Sequence, residues 1–175
     1  LQNLLATLTV ISIFFDLKYI SKNIFLDFKF PDGRGDYSKL KIKNKIINLV
    51  DESYNSNPLS LKNALINFGD IKLKKNYKHA LLGDMLELGT SSINHHISIA
   101  KIINKLDIDK VHIYGKNIKK NYENLNKTKK GIVFSNLSKI RELINISLNN
   151  NDYLMIKGSN ATGLNNLSKK IIRGN

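Results

Sequence analysis

The chain has 175 residues, no cysteine and a formal net charge of +14 at pH 7. This length can bury one domain with a small addition, and the lack of cysteine excludes disulfides, a thiolate nucleophile and a cysteine-ligated metal site. Of the 28 basic residues only three are arginine, and the lysines lie along the whole chain, which favours a solvated surface over a nucleic-acid-binding patch because recognition of phosphates and bases prefers arginine.

The N-terminal segment predicts a helix. Apolar residues recur there at helical spacing (Leu4, Leu5, Leu8, Ile11 and Phe15) and predict a core helix. The run is too short to span a bilayer and has no basic stretch before it, so we expect no integral membrane segment. The sequence opens on leucine with a helical pattern already under way, which suggests a fragment, and Ser21 is suited to begin a second short helix.

The stretch "FPDGRGD", residues 30–36, interrupts this pattern. Pro31, Gly33 and Gly35 do not continue a helix comfortably, so the stretch marks a domain boundary. We expect a first domain over residues 1–32 and a second over residues 33–175.

Strands and helices alternate after the boundary. The pattern predicts a strand or hairpin at 42–50, further strands at 79–82, 111–114, 132–134 and 153–156, and helices at 58–68, 93–106, 137–148 and 164–172. A lysine- and asparagine-rich stretch lies between the strands predicted at 111–114 and 132–134, and it predicts a loop. Such alternation is typical of an α/β fold, Rossmann-like, in which helices cover both faces of a mainly parallel sheet.

Three strand ends carry polar turns with small residues: "LVDESYNSNP", "ALLGDMLELG" and "MIKGSNATG". Ligands of open α/β sheets bind outside the carboxyl ends of the strands, so these turns are the candidate site. The other strand ends, "IYGKN" and "VFSN", are less elaborate. Within the first turn, Asn57 and Pro58 predict the cap and first residue of a helix.

The turns also suggest chemistry. Asp84 and Glu87 could hold a cation or an ammonium group, although a solvated loop carboxylate is an equally good interpretation of Glu87. Lys157, Gly158 and Ser159 form a natural anion site, because backbone N–H groups at such a turn add to the lysine charge. The turn is not a Walker A loop, and no GxGxxG fingerprint occurs.

The four histidines do not predict a metal centre or a catalytic triad. His95 and His96 are adjacent and point about 100° apart on one helix, and neither HExxH nor a GxSxG elbow is present. Packing or surface placement is the expected role of these two, of His79 and of His112.

The order of the motifs resembles the C-terminal part of the Mur ligases. "DESYNSNP" is followed about 25 residues later by "LLGDMLELG", then by His96, and near the end by "MIKGSNATG". Within the family, these blocks are similar to those of the branch that adds D-alanyl-D-alanine to UDP-N-acetylmuramoyl-tripeptide. Sister ligases have different first blocks. Two positions depart from the pattern: Glu52 stands where Asp is common, and Asn160 where Arg is common.

This resemblance implies an ATP-dependent peptide ligase of peptidoglycan precursor synthesis, in which ATP phosphorylates a carboxylate and an amine attacks the acyl phosphate. "NLLATLTV" is similar to the helical end of the central ATP-binding domain, and "DGRG" to the opening of the C-terminal domain. The implied nucleotide-binding residues are Asn3, Arg34, Asp51 and Glu52. The implied residues around D-alanyl-D-alanine are Tyr54, Asn55, Asn57, Asp84, Lys157, Gly158 and Ser159.

The resemblance further implies ATP and Mg²⁺ as cofactors, with the P-loop and the Mg²⁺ ligands upstream of this sequence. No catalytic residue and no metal ligand is assigned within the chain. We expect a cytoplasmic monomer whose partners are ATP, D-alanyl-D-alanine and UDP-N-acetylmuramoyl-tripeptide, without nucleic acid, and a fragment that is inactive alone. The alternative is a basic α/β nucleic-acid-binding module, which the net charge supports.

Overall fold

The computed structural model describes residues 2–21, 23, 24, 26 and 31–174, and only the backbone of Gln2, Asn3 and Arg141. The chain forms two compact units, residues 1–30 and residues 31–175. None of the described helices is long and apolar enough to cross a membrane.

The first unit consists mainly of one helix, α1 (Gln2–Phe14), followed by a short 3₁₀ turn at Leu17–Tyr19. The predicted helix is therefore confirmed. Of the residues that predict a core helix, Leu4, Leu8 and Ile11 are partly buried, whereas Leu5 is 55% and Phe15 70% exposed. The second helix expected after Ser21 lies largely outside the described residues.

The second unit alternates strands and helices through six strands. Its strands are β1 (Asp36–Ile42), β2 (Lys45–Asp51), β3 (Lys78–Gly83), β4 (Lys110–Tyr114), β5 (Lys130–Phe134) and β6 (Tyr153–Lys157). Its helices are α2 (Pro58–Asp70), α3 (Ser92–Ile103), α4 (Ile118–Glu123), α5 (Ile140–Ile146) and α6 (Leu164–Ile172).

The strands form one sheet in the order β1-β2-β6-β3-β4-β5. Only β1 is antiparallel to its neighbour, and the remaining pairs are parallel. The predicted fold class is confirmed. The sheet positions the carboxyl ends of β2, β6 and β3 next to one another.

Helices cover both faces of this sheet. On one face, α2, α3 and α4 bury side chains such as Leu61, Phe68 and Ile103 against β3 and β4. On the other face, α5 and α6 pack residues such as Leu143 and Leu167 against the sheet. Buried on both sides, the central strands read as continuous apolar runs, which is why the sequence predicts β3, β4 and β6 well.

Two elements differ from the sequence prediction. The first strand begins at Asp36, where exposed lysines at 39 and 41 alternate with more buried residues, a pattern that suits an edge strand but carries little apolar signal. The loop predicted between β4 and β5 contains α4. This helix has one fully buried apolar residue, Ile118, so its stability comes from tertiary contacts rather than from a periodic pattern.

Candidate functional site

The loops that follow β2, β3 and β6 meet at the carboxyl edge of the sheet. The chain leaves β2 and β3 towards helices on one face, whereas it leaves β6, which lies between them, towards α6 on the other face. A crevice opens at such a reversal because adjacent loops diverge. The three turns singled out in the sequence are therefore brought together in space.

A cavity of about 410 Å³ lies between these three loops. Tyr54 and Asn55 line it from the first loop, Leu86 and Glu87 from the second, and residues 159–161 from the third. We call it the tyrosine-side cavity. Its lining combines an aromatic ring, amides and a carboxylate, a set that can orient a small polar ligand by hydrogen bonds.

Lys157 is the last residue of β6 and is 2% exposed. Its ammonium donates to the backbone carbonyl of Asn55 at 3.0 Å and to that of Glu52 at 3.4 Å, and it lies 3.5 Å from the Glu52 carboxylate. Burial lowers the pKa of Lys157 below its ordinary value, and the nearby Glu52 charge opposes that shift. The lysine thus ties the first loop to β6.

Ser159 joins all three loops. Its hydroxyl donates to the Ser56 carbonyl at 3.2 Å and accepts from the Leu86 N–H at 2.8 Å, while its own N–H donates to the Asp84 carbonyl at 3.0 Å. The preceding Gly158 is required by close packing: a Cβ there would lie 2.9 Å from Leu164 and 3.1 Å from the Gly83 Cα. These contacts set the shape of the crevice.

Asp84 holds the turn between β4 and α4. Its carboxylate accepts from the backbone N–H of Ile118 at 2.7 Å and of Lys116 at 3.1 Å. Gly115 adopts φ +142°, and a Cβ there would collide with the carboxylate. Asp84 is only 9% exposed, so its carboxylate oxygens mainly stabilise the fold and are little accessible to a ligand.

The two carboxylates after β2 face different ways. Asp51 is 1% exposed and accepts from the N–H and the hydroxyl of Ser53, which also accepts from the amide of Asn165. Glu52 is partly exposed beside Lys157. Asp51 therefore shapes the loop, and Glu52 lies beside Lys157.

Arg34 and Tyr54 stand together at the edge of the loop. The guanidinium carbon lies 4.3 Å from the centre of the tyrosine ring, and both side chains are exposed. The Tyr54 N–H donates to the Gly33 carbonyl at 3.0 Å, which fixes the two segments against each other. A guanidinium stacked on a ring can still bind an anion through its N–H edge.

Asn57 caps α2, as the sequence predicts. Its side chain accepts from the Ser60 N–H at 2.8 Å, and the Ser60 hydroxyl accepts from the Asn57 N–H at 3.0 Å, so the two residues form a capping box. The side chain of Asn3 lies outside the described part of the structure.

His96 supports the second loop from beneath. It is fully buried, donates from Nδ1 to the Ser92 carbonyl at 2.7 Å and accepts at Nε2 from the Met85 N–H at 3.0 Å. Both ring nitrogens are used in hydrogen bonds within the domain, so the ring stabilises the second loop. Within the described residues, no group of three or more His, Cys, Asp or Glu side chains could hold a metal ion.

A second cavity, of about 590 Å³, adjoins the first and shares Leu86 and Ala161 with it. Lys116 and Lys119 line it together with Tyr114 and Ser135, and we call it the lysine-side cavity. Sequence reasoning missed these residues because the turns after β4 and β5 look plain. The available signal was Gly115, a glycine directly after a strand.

The fold and the two cavities define an open α/β domain with a ligand cleft at the carboxyl edge of its sheet, built without a P-loop. Comparison with known proteins identifies the family of this domain. The chain belongs to the Mur ligase family: the model of the Mur ligase glutamate ligase domain matches residues 39–160.

Solved structures share the fold. A MurF ligase from Thermotoga maritima in complex with ADP is 21% identical with a TM-score of 0.62, covering 84% of this chain and 32% of its own. A MurF from Acinetobacter baumannii is 22% identical with a TM-score of 0.69, covering 94% and 35%. The UDP-N-acetylmuramate-alanine ligase MurC from Thermotoga maritima is 18% identical with a TM-score of 0.64, covering 99% and 37%. The chain thus spans about a third of the length of these ligases.

Proposed function

We propose that this chain is the C-terminal domain of an ATP-dependent ligase that adds D-alanyl-D-alanine to UDP-N-acetylmuramoyl-tripeptide through an acyl phosphate, in cytoplasmic synthesis of the peptidoglycan precursor. The observation that carries the proposal is the meeting of the three motif loops around the tyrosine-side cavity. Within the Mur ligases, the assignment to this particular ligase rests on the "DESYNSNP" block.

The domain closes over the reaction rather than supplying its phosphate chemistry. Phosphoryl and acyl transfer depend mainly on positioning and on neutralising charge, so a closing domain can determine the rate. In this proposal Arg34 and Glu52 reach the ribose or phosphates of ATP, and Asp51 fixes the loop that carries Glu52. Asn3 contacts the adenine in this proposal. A solved ligase of the same fold was crystallised with ADP.

The chain's own residues fit a nucleotide better than they fit a metal ion. The exposed Arg34 guanidinium beside Tyr54 is a suitable phosphate contact. The described residues include no group of three or more His, Cys, Asp or Glu side chains that could hold a metal ion, and the proposal takes the Mg²⁺ ligands from another part of the ligase.

The incoming dipeptide occupies the crevice in this proposal. Tyr54 and Asn55 line it directly, and Asn57 fixes the loop end by capping α2. Lys157, Gly158, Ser159 and Asp84 hold the three loops in place, because their polar atoms or close packing are already used within the domain.

The test is a ligation assay on the ligase that carries this domain. We expect ADP release to require both D-alanyl-D-alanine and the UDP-linked tripeptide, and we expect the 175-residue chain alone to catalyse no ligation. Ligation by the chain alone, or preference for another amine in the complete enzyme, would overturn the proposal.

A nucleic-acid-binding module is the competing function, supported by the net charge of +14. It predicts binding to single- or double-stranded nucleic acid with a steep linear fall of log affinity against log salt. We expect no such binding at physiological salt, since lysine is dispersed and arginine is scarce.

A further inference from the structure

Two of the charged groups that the sequence offers to a ligand, Lys157 and Asp84, are occupied by the protein itself. The Lys157 ammonium is bonded to the Asn55 and Glu52 carbonyls, and the Asp84 carboxylate to the N–H groups of Lys116 and Ile118. A zwitterionic ligand in this cleft must therefore find its charge partners elsewhere.

Other charged side chains line the cleft and remain available. Glu87 faces the tyrosine-side cavity, and Lys116 and Lys119 face the lysine-side cavity. All three residues are exposed. Among the described residues, none of these side chains makes a salt bridge or a side-chain hydrogen bond. The cleft thus has one negative end and one positive end.

Glu87 also has an unusual backbone. Its φ is +63°, in the left-handed region that L-residues other than asparagine and aspartate seldom adopt. Strained residues of this kind concentrate at ligand sites. This strained residue and the preceding Leu86 both line the tyrosine-side cavity.

We propose that the cleft binds the incoming dipeptide in one direction, with its ammonium at Glu87 and its carboxylate at Lys116 and Lys119. The inference rests on the proposed function, from which the dipeptide is taken. Two extended residues span about 7 Å, and the two cavities adjoin at Leu86 and Ala161.

The Asp84 carboxylate also borders the lysine-side cavity, and it would repel an anion if its charge were free. Its two backbone hydrogen bonds partly offset this repulsion. Two lysine ammonium groups then outweigh one carboxylate that is already hydrogen-bonded. Apolar side chains, including Val133 and Phe134, complete the cavity and suit a methyl-bearing residue.

The test is an NMR titration of the 175-residue chain with D-alanyl-D-alanine, followed through backbone amide signals. We expect shifts at Leu86, Gly115 and Ser135, and about tenfold weaker binding for D-alanyl-D-alaninamide, which lacks the carboxylate. N-acetyl-D-alanyl-D-alanine, which lacks the ammonium, should lose affinity to the same extent. Inorganic phosphate serves as a third probe that separates a general anion site from a dipeptide site.

Matched variants locate the charges. Lys116→Gln and Lys119→Gln together should weaken D-alanyl-D-alanine about tenfold and leave the amide analogue unchanged. Glu87→Gln should weaken the free dipeptide and leave the N-acetyl analogue unchanged. Lys120→Gln is the control, because Lys120 follows Lys119 on the same helix but pairs with Glu123 at 3.1 Å.

The inference is overturned if the dipeptide does not bind, if the analogues bind as well as the dipeptide, or if phosphate displaces it from the same amides at lower concentration. These outcomes are separable from failure of the proposed function. If the ligase consumes D-alanyl-D-alanine but the Lys116 and Lys119 variants bind it normally, the proposed function stands. Only the proposed orientation of the dipeptide is then wrong.

Discussion

The Lys157 ammonium lies 3.0 Å from the backbone carbonyl of Asn55, a residue 102 positions earlier in the chain. This contact joins the end of β6 to the loop after β2, and the partly exposed Glu52 carboxylate completes it from the other side. A lysine that seems from the sequence to be a ligand group is therefore a structural tie between two sides of the crevice.

Replacing Lys157 by methionine tests that tie. The substitution keeps an unbranched side chain, one atom shorter, but removes the donor to two carbonyls, so we expect a loss of about 1–3 kcal/mol in the free energy of unfolding. Urea denaturation of the chain measures it. The exposed Lys170→Met should change stability by less than about 0.5 kcal/mol, and equal effects of the two variants would contradict the structural role.

Gly115→Ala tests the clamp around Asp84. The new Cβ would collide with the carboxylate, and φ +142° is strained for alanine, so we expect a cost above about 2 kcal/mol. Gly89→Ala is the matched control, because Gly89 also has a positive φ, +57°, but has no neighbour within 4 Å. Its expected cost is about 1 kcal/mol. Thermal or urea unfolding distinguishes them, and similar losses would argue against the contact.

The sequence predicts those parts of the fold that carry a local signal. Asn57 and Pro58 mark the start of α2, and the apolar runs of β3, β4 and β6 mark buried parallel strands. By contrast, β1 is held by backbone pairing with β2 and α4 by tertiary contacts, and these lysine-rich segments give no periodic apolar pattern. Local preference alone cannot reveal such elements.

For the candidate site, the sequence predicts the location better than the roles. The three motif loops do meet at one edge, since parallel strands bring their carboxyl ends together. The roles of Asp84 and Lys157 depend on backbone groups 32 to 34 and 102 to 105 positions away. No spacing rule gives such partners.

Acid should destabilise the chain through a buried histidine pair at the opposite edge of the sheet. His112 accepts from the Ile132 N–H at 3.0 Å, its other nitrogen lies 3.1 Å from His79, and His79 lies 3.7 Å from Asp152. Burial, together with the charges of His79 and Lys110, lowers the pKa of His112 to about 3. Burial also lowers the pKa of His79, against the opposing carboxylates of Asp152 and Asp109.

The direction of this pH effect on stability follows from the unfolded state. An unfolded histidine takes up a proton near pH 6.5, whereas folded His112 stays neutral down to about pH 3, so stability present above pH 6.5 is lost as the pH falls. For one such group we expect about 2 kcal/mol less stability at pH 5 than at pH 7. Urea unfolding across this range measures it. His112→Gln should reduce the slope, and His95→Gln should keep most of it; a flat profile would contradict the buried pair.

Substitutions at Asn57 can separate its role as a helix cap from any contact with a ligand. Asn57→Ala removes the acceptor of the Ser60 N–H, so we expect a loss of about 1 kcal/mol in the free energy of unfolding. Asn57→Ser restores a capping oxygen without the amide and should be nearly as stable as the original chain. If Asn57 also contacts the dipeptide, the serine variant should unfold normally and yet bind D-alanyl-D-alanine more weakly. Urea unfolding and the NMR titration, carried out on both variants, separate the two roles, and a serine variant as unstable as the alanine variant would contradict the cap.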